Sequence, residues 1–159
     1  MIMESVFALK RIFRTTLIIN GALIAGLFLD VLIVELVKSQ FKPFAGFLPG
    51  LQLQILRYVF YGAAVGAVVL VRISAKALTR AAPGGDVRHS GQRLSRAAIV
   101  TATLAELPAV LGFVLFLLAG SSRDFYSLLF VSLFLEFMYF PRFQVWQDLI
   151  REKSPKEGI

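Results

Sequence analysis

The chain of 159 residues contains no cysteine and one histidine, and only 17% of its residues are charged. Without cysteine there are no disulfides, no thiolate metal ligands and no cysteine nucleophile. A single histidine, His89, is too little for histidine-based metal sites or catalytic triads, and no cluster of acids with metal-ligand spacing is visible. We therefore expect a protein that is not an enzyme and that holds no metal and no cofactor.

The scarcity of charge accompanies an excess of apolar residues, which make up 57% of the chain and include 15 Phe. Ordinary soluble domains carry roughly 25% charged residues. A chain of about 150 residues still leaves some 30% of its unfolded surface exposed after folding, so this many apolar side chains overfill its core. The excess must face lipid. We predict an all-α, polytopic membrane protein that forms one membrane domain over residues 1–159.

Long apolar runs locate the membrane segments, because a bilayer core about 30 Å thick needs roughly 20 mostly apolar residues as a helix. Four transmembrane helices are predicted, at about 15–37, 53–73, 97–119 and 125–140. Residues 39–50 contain two prolines and two glycines, so they cannot continue a helix. Residues 74–96 form a basic loop, with helical extensions at its ends as an option, and 120–124 form a tight polar turn. We predict two antiparallel hairpins.

The basic residues predict the orientation. Thirteen of the 17 Lys and Arg residues lie in the N-terminal arm, the loop at 74–96 with its flanking Arg72, and the tail at 141–159. With four spans, these three regions fall on one side of the membrane, and by the positive-inside rule that side is the cytoplasm. We expect a multi-pass protein of a bacterial-type inner or plasma membrane with both termini cytoplasmic.

The net charge of +7 could suggest a nucleic-acid partner. The basic residues lie beside membrane ends, however, and no reading helix or RNA-binding motif is present, so we expect no nucleic-acid binding. Attraction to anionic lipid headgroups, worth about 1 kcal/mol per suitably placed Lys or Arg, explains the same charges. The tail is predicted to be amphipathic, with Phe143, Trp146 and Ile150 on one side, and either to lie on the membrane or to dock to a partner.

Ionisable residues inside spans cost at least about 2.5–3.5 kcal/mol near a helix centre, so each needs a partner or a purpose. At a rise of about 1.5 Å per residue, Asp30, Glu35 and Arg57 all lie toward the outer boundary. We predict an ion pair between Arg57 and either Glu35 or Asp30, most simply as a structural clamp between the first two spans.

Glu106 and Glu136 are predicted to lie at nearly the same depth in neighbouring spans, with no basic residue nearby. If the two carboxyls face each other, both cannot ionise. Thr103 and Ser132 lie within one turn of these acids, and their hydroxyls could complete the oxygen shell of a small cation. A proton or cation site is one interpretation. The others are that both acids are protonated and hydrogen-bonded as interhelical glue, or that they contact a partner subunit.

Small residues predict where helices approach closely. Gly62 and Gly66 form a GxxxG motif on the second span, and Ala102 and Ala105 belong to a strip of alanines on the third. We predict close packing of the second span against the third through these residues.

Residues 61–118 resemble the proteolipid, or c-type, subunit of rotary ATP synthases. The sequence 62–67 (GAAVGA) is similar to the Gly/Ala stripe of that family's first helix, and Arg80 and Arg93 lie where its basic cytoplasmic loop would be. The sequence 105–114 (AELPAVLGFV) is similar to its carboxylate motif. The resemblance implies a helical hairpin in which Glu106 carries the ion.

Two functions fit these observations. One is a small membrane protein that binds a proton or small cation at Glu106 and Glu136, as a homo-oligomer or within a larger membrane complex. The alternative is a non-catalytic accessory, assembly or scaffold subunit of such a complex.

Overall fold

The computed structural model describes residues 2–48, 53–80, 87–144 and 146, which contain four α-helices and no strand. The helices are α1 (Ile2–Gln40), α2 (Leu53–Arg80), α3 (Val87–Ala119) and α4 (Ser122–Met138). The all-α prediction is confirmed. Three helices contain segments long and apolar enough to cross a bilayer, namely Leu9–Gln40, Gln54–Lys76 and Gly91–Ala119. The fourth, α4, has only 17 residues.

The helices run further than the apolar segments do. Helix α2 continues to Arg80 and α3 begins at Val87, so both enter the stretch predicted as a basic loop. Alanine, leucine, lysine and arginine, which are frequent there, are all strong helix formers even where no lipid surrounds them.

Helix α3 is the central element, and it packs against each of the other three helices. Its alanines explain how: Ala102, Ala105 and Ala109 are buried, and small side chains let neighbouring helices approach closely. Along α1, Thr16 hydrogen-bonds to Ser95 of α3 at 2.7 Å. Further along both helices, Leu27 and Val34 cluster with Phe116 and Ala109. Later residues of α1 contact later residues of α3, so α1 and α3 run in the same direction.

Helices α2 and α4 run the other way along α3. The Ala109 N–H donates to Ser132 Oγ of α4, while Gly112 lies against Leu128. The later residue of α3 thus contacts the earlier residue of α4, so the two helices are antiparallel. In α2, Val71 clusters with Ala105 and Leu135. Alternating directions are what short connections between consecutive helices require.

The outward faces of the helices are apolar. The large apolar side chains that are between 62% and 72% exposed include Phe28, Leu32, Tyr58, Val65, Phe130 and Phe137. In water, exposed apolar area costs about 25 cal/mol per Å². Such a surface is typical of a protein whose helices face lipid.

One end of the bundle is closed by the segment that follows α1. The Phe47 N–H donates to the Leu117 carbonyl at 2.9 Å, and the Leu48 N–H donates to the Leu118 carbonyl at 3.0 Å. These bonds satisfy two of the last carbonyls of α3, which have no partner within their own helix. The segment after α1 thus caps α3. We call this the Gly46 end.

The C-terminal segment packs at the opposite end, which we call the Trp146 end. Trp146 is buried in a cluster with Leu9 and Leu94. The Phe13 ring lies 5.1 Å from the Phe143 ring and 5.3 Å from the indole of Trp146. The apolar side of the tail, predicted to lie on the membrane or on a partner, therefore contacts this chain's own α1 and α3. Ile150, placed on the same side, lies outside the described residues.

Candidate carboxylate site

Glu136 of α4 is enclosed by the bundle. Its side chain is 1% exposed, and Oε1 is buried without a hydrogen-bond partner, which is true of no other buried side-chain nitrogen or oxygen in the described part of the chain. Buried polar atoms are almost always hydrogen-bonded, because the loss of hydration is otherwise uncompensated. This carboxyl is therefore the most unusual polar group of the described structure.

Glu106 of α3 is half-buried and lies within electrostatic range of Glu136. It is also within range of Asp30 on α1. The Glu106 Oε1 atom would be 3.4 Å from a β-carbon at Gly26, so the absence of a side chain at that position leaves room for the carboxyl. The structure thus brings Glu106 and Glu136 near each other and adds Asp30.

Ser132, whose hydroxyl was predicted to be a cation ligand, hydrogen-bonds to the backbone of α3. Its Oγ accepts a hydrogen bond from the Ala109 N–H at 2.8 Å and lies 3.4 Å from the Glu106 carbonyl, to which it donates. The bonds lie beside Pro108, which has no N–H and interrupts the hydrogen bonding of α3. A serine from a neighbouring helix thus hydrogen-bonds to one N–H and one carbonyl of the α3 backbone next to the proline.

Thr103, the other predicted ligand oxygen, points away from the buried part of the bundle. Its side chain is exposed, and its hydroxyl donates to the Ile99 carbonyl at 3.0 Å. Three residues along a helix turn through about 300°, so Thr103 and Glu106 differ in direction by about 60°. The structure does not bring this hydroxyl to the buried carboxyl.

No metal site is assembled by acidic and histidine side chains within the described ranges, since no three of them are close enough to share one ion. Carboxyl groups accept and release protons, and in the ionised form they attract cations.

The predicted partner of Arg57 is wrong. Arg57 Nε lies 2.6 Å from Asp124 Oδ2, and Arg57 also donates to Ser121 Oγ at 3.2 Å, rather than pairing with Asp30 or Glu35. The physical reason is the packing of α2 against α3, which brings Arg57 to the turn between α3 and α4 and away from α1.

Asp124 completes this network at the Gly46 end. Its carboxyl also accepts hydrogen bonds from Tyr61 at 3.2 Å and from Ser121. Burial raises the pKa of Asp124, but the hydrogen bonds from Ser121 and Arg57 outweigh burial, so the pKa lies below its ordinary value. The sequence offered one indication of this role, an acidic residue in the first turn of a helix, where it is favoured by the helix dipole.

Glu35 pairs with Lys38 and Tyr126 rather than with Arg57. Lys38 Nζ lies 2.7 Å from Glu35 Oε1, and the Tyr126 hydroxyl donates to the same oxygen. Lys38 also lies 5.8 Å from the centre of the Tyr126 ring. Glu35 thus joins α1 to α4 near the Gly46 end and is separate from the carboxyl cluster.

The glycines of the GxxxG motif do not pack against α3. A β-carbon at Gly62 or Gly66 would have no neighbouring atom within 4 Å. The face of α2 that packs is formed by Ala64, Ala67 and Val71, all buried. The small residues of α2 therefore form two faces, and the face that packs against the rest of the bundle is the one without glycine. On α3, by contrast, Ala102 and Ala105 are both buried.

Comparison of the chain with protein-family models, curated proteins and solved structures finds no match to any of them.

Proposed function

We propose that the protein is a small integral membrane protein with an intramembrane carboxylate site, formed by Glu106 and Glu136, that takes up a proton or a small cation. The observation that carries the proposal is the buried, unpartnered Oε1 of Glu136. A carboxylate buried as an anion without a counter-ion is destabilised by several kcal/mol. Glu136 must therefore be neutralised, either by a proton or by a bound cation.

The site requires the bundle to lie in a membrane, and we propose four spans in two antiparallel hairpins. The opposite directions of α2 and α3, and of α3 and α4, support this arrangement. Helix α4 would be the shortest span, continuing toward residue 140. The basic residues near the Trp146 end would face the cytoplasm and attract anionic headgroups, with both termini on that side.

A homo-oligomer or a larger membrane complex is part of the proposal, because Asp30 and Glu106 are only half-buried in the single chain. Half-exposed carboxyls within a span are costly unless another helix or a water-filled space adjoins them. No catalytic role is proposed. The resemblance of residues 61–118 to c-type subunits stays a prediction that places the ion on Glu106.

The alternative is a non-catalytic accessory or assembly subunit, and the exposed GxxxG face of α2 favours it. Gly62 and Gly66 leave a shallow surface on which a helix of another protein could approach closely. Gly62→Leu would block that approach without disturbing the fold. If it releases a co-purifying membrane protein while carboxyl reactivity is unchanged, the accessory role is favoured.

The site itself is tested with carboxyl variants in liposomes. Glu136→Gln and Glu106→Gln keep the shape of the side chain and remove the titratable group. We expect both to lower the reaction with a hydrophobic carbodiimide, measured by mass spectrometry, and to lower proton or Na⁺ flux. Glu35→Gln is the matched control, because Glu35 lies outside the cluster. Wild-type labelling and flux in both site variants would disprove the proposal.

Sidedness is tested separately. Because the chain has no cysteine, Ala45→Cys introduces a single thiol at the Gly46 end. An impermeant maleimide should label it only from outside intact cells. Labelling from the cytoplasmic side would overturn the orientation.

A further inference from the structure

We infer that the ion reaches the carboxylate site from the Trp146 end, by an entry path between α1 and α3 that consists of Ser95, Thr16 and Asn20. In the described conformation, Phe116 and Phe125 close the site toward the Gly46 end. The entry path rests on the proposed function, to which it adds the side from which the ion arrives and the residues that admit it.

The entry path is a group of polar side chains at the contact between α1 and α3. Thr16 Oγ1 lies 2.7 Å from Ser95 Oγ, and Asn20 Nδ2 donates to the Thr16 carbonyl at 2.8 Å. Thr16 and Asn20 are 0% and 1% exposed, so both side chains face the interior of the bundle. Polar groups inside a membrane protein face the interior or a water-filled space, and such groups line the routes of ions.

The same residues lead from the surface toward the acids. Ser95 is half-buried, and Glu106 follows it by eleven residues, which make three helical turns to within about 20°. Glu106 therefore lies on the same side of α3 as Ser95, about 16 Å further along the axis. In α1, Asn20 lies one turn past Thr16 in the direction of Gly26, and the Glu106 carboxyl lies beside Gly26. Both helices thus carry the path toward the site.

The hydrogen bonds within the path leave acceptor atoms for an ion. The Thr16 hydroxyl donates to the Ile12 carbonyl at 3.0 Å and pairs with Ser95, while Asn20 uses its Nδ2 toward Thr16. A hydroxyl has one proton and two lone pairs, and an amide oxygen has two lone pairs. Oxygen lone pairs of Ser95 and Asn20 therefore remain beyond these bonds, and they can bind a hydrated proton or a small cation in passing.

On the other side of the site, toward the Gly46 end, the bundle is aromatic and tightly packed. Phe116 and Phe125 are fully buried with ring centres 6.3 Å apart, and the Phe44 ring lies 5.1 Å from that of Phe116. A β-carbon on Gly112 would lie only 3.0 Å from Leu128, so α3 and α4 are in direct contact there. Hydrophobic constrictions of this kind exclude water and close the routes of ions.

The polar groups at the Gly46 end do not extend to the site. Arg57 and Tyr61 both bind Asp124. Between this network and the level of Glu136, the buried face of α2 is apolar and consists of Ala64, Ala67 and Val71. The two ends of the bundle therefore differ, with a polar path on one side of the acids and apolar packing on the other.

Cysteine accessibility tests the path, because the chain has no cysteine of its own. The reagent is a small positively charged methanethiosulfonate, which reacts with thiolates in water and is added to one face of oriented vesicles. We expect Asn20→Cys and Ser95→Cys to react from the Trp146 end, and Phe116→Cys to react from neither end.

Ile18→Cys is the matched control for Asn20→Cys. Ile18 lies half a turn from Asn20 in α1 and is 64% exposed on the outer face of the bundle, where it would meet lipid. Apolar surroundings raise the pKa of a thiol, so Ile18→Cys should react at least about tenfold more slowly than Asn20→Cys. The buried position would then be the reactive one, which only an aqueous path between the helices explains.

Flux measurements connect the path to the site. Modification of Asn20→Cys should stop the proton or Na⁺ flux that the unmodified variant carries in liposomes. Thr15→Cys, at an exposed neighbouring position, should keep its flux after the same treatment. Ser95→Cys, which exchanges one oxygen for sulfur, gives the same measurement if Asn20→Cys carries no flux before modification.

The possible outcomes separate the path from the proposed function. If Asn20→Cys and Ser95→Cys are unreactive, or react from the Gly46 end, while Glu136 is labelled by carbodiimide, the path is wrong and the carboxylate site stands. Reaction of Phe116→Cys from the Gly46 end would overturn the closure. Absence of labelling at both Glu136 and Glu106 would instead disprove the proposed function.

Folding of each variant is verified by the fluorescence of Trp146, the one tryptophan. Thr16→Cys replaces Asn20→Cys if that variant is not folded, and the same reactivity from the Trp146 end is expected of it.

Discussion

The backbones of Gly46 and Gly120 contact each other where the segment after α1 crosses the end of α3. A β-carbon on Gly120 would lie 2.7 Å from the Phe44 carbonyl oxygen, and one on Gly46 would lie 2.4 Å from the Leu118 carbonyl oxygen. Both residues have positive φ, 82° for Gly46 and 70° for Gly120. Only glycine both fits the available space and adopts the positive φ, so this crossing requires glycine in both segments that meet there.

Gly46→Ala and Gly120→Ala should therefore each destabilise the fold, by about 2 kcal/mol or more, because strained backbone adds to steric overlap. The free energy of unfolding in mixed micelles would measure the effect. The matched control is Gly62→Ala, which replaces a helical glycine with open space around it and should be neutral or stabilising by up to about 1 kcal/mol. Equal stability of all three variants would contradict the crossing.

The ion pair of Arg57 with Asp124 predicts a pH dependence of stability. The Asp124 pKa lies below its ordinary value of 3.8 in the folded protein. A lowered pKa means that the pair stabilises the folded state above pH 3.8, and that this contribution is lost as pH falls toward and through the folded-state pKa.

Asp124→Asn should abolish that part of the acid dependence and lower stability at neutral pH by about 1–3 kcal/mol. Unfolding free energies measured from neutral pH to below pH 3 check both expectations. Arg123→Gln removes a neighbouring exposed charge and should retain the wild-type profile. An Asp124→Asn protein that loses stability with acid as steeply as the wild type would refute the assignment.

The hydrogen bonds of Ser132 predict an energetic coupling to Pro108. Ser132→Ala leaves the Ala109 N–H without its partner, which should cost about 1–2 kcal/mol. Pro108→Ala restores a backbone N–H to α3 and lets the helix straighten, so the serine should matter less in that background. A double-mutant cycle should give a coupling of at least about 0.5 kcal/mol.

Ser127→Ala serves as the control for Ser132→Ala, since Ser127 bonds only to the Arg123 carbonyl of its own helix. Additive effects of Pro108→Ala and Ser132→Ala would show that the serine does not compensate for the proline.

The packing at the Trp146 end predicts that the residues after α4 stay bound to the bundle. Phe13→Ala removes the ring that contacts both Phe143 and Trp146. Collisional quenching of tryptophan fluorescence should then increase, because Trp146 is normally buried. Gln144→Ala, on the exposed side of the same segment, should leave quenching unchanged. If quenching in the wild type equals that of free tryptophan, the tail does not pack as described.

The apolar runs predicted the positions of the helices well, because about 20 successive apolar residues are compatible with few structures other than a membrane helix. Their ends were less accurate, since Ala- and Arg-rich sequence continues a helix past the apolar limit at Arg80 and before Gly91. Depth along each span also indicated that Glu106 and Glu136 would be at one level.

Partners across the bundle could not be predicted in the same way. Depth alone indicated Asp30 or Glu35 as the partner of Arg57, whereas the actual partner, Asp124, depends on α2 packing against α3 rather than α1. For α2, a run of small residues supplied two faces, and sequence does not tell which one a neighbour covers. The crossing at Gly46 and Gly120 joins residues from distant segments, so nothing local marks it.

The contact of Phe13 with Phe143 and Trp146 also has a consequence for biosynthesis. Helix α1 acquires part of its packing from residues that are synthesised after all four helices. Until those residues emerge, Leu9 and Phe13 lack their aromatic neighbours. The bundle is therefore completed only after Phe143 and Trp146 are made, and truncation before Phe143 would yield helices whose Trp146 end stays open.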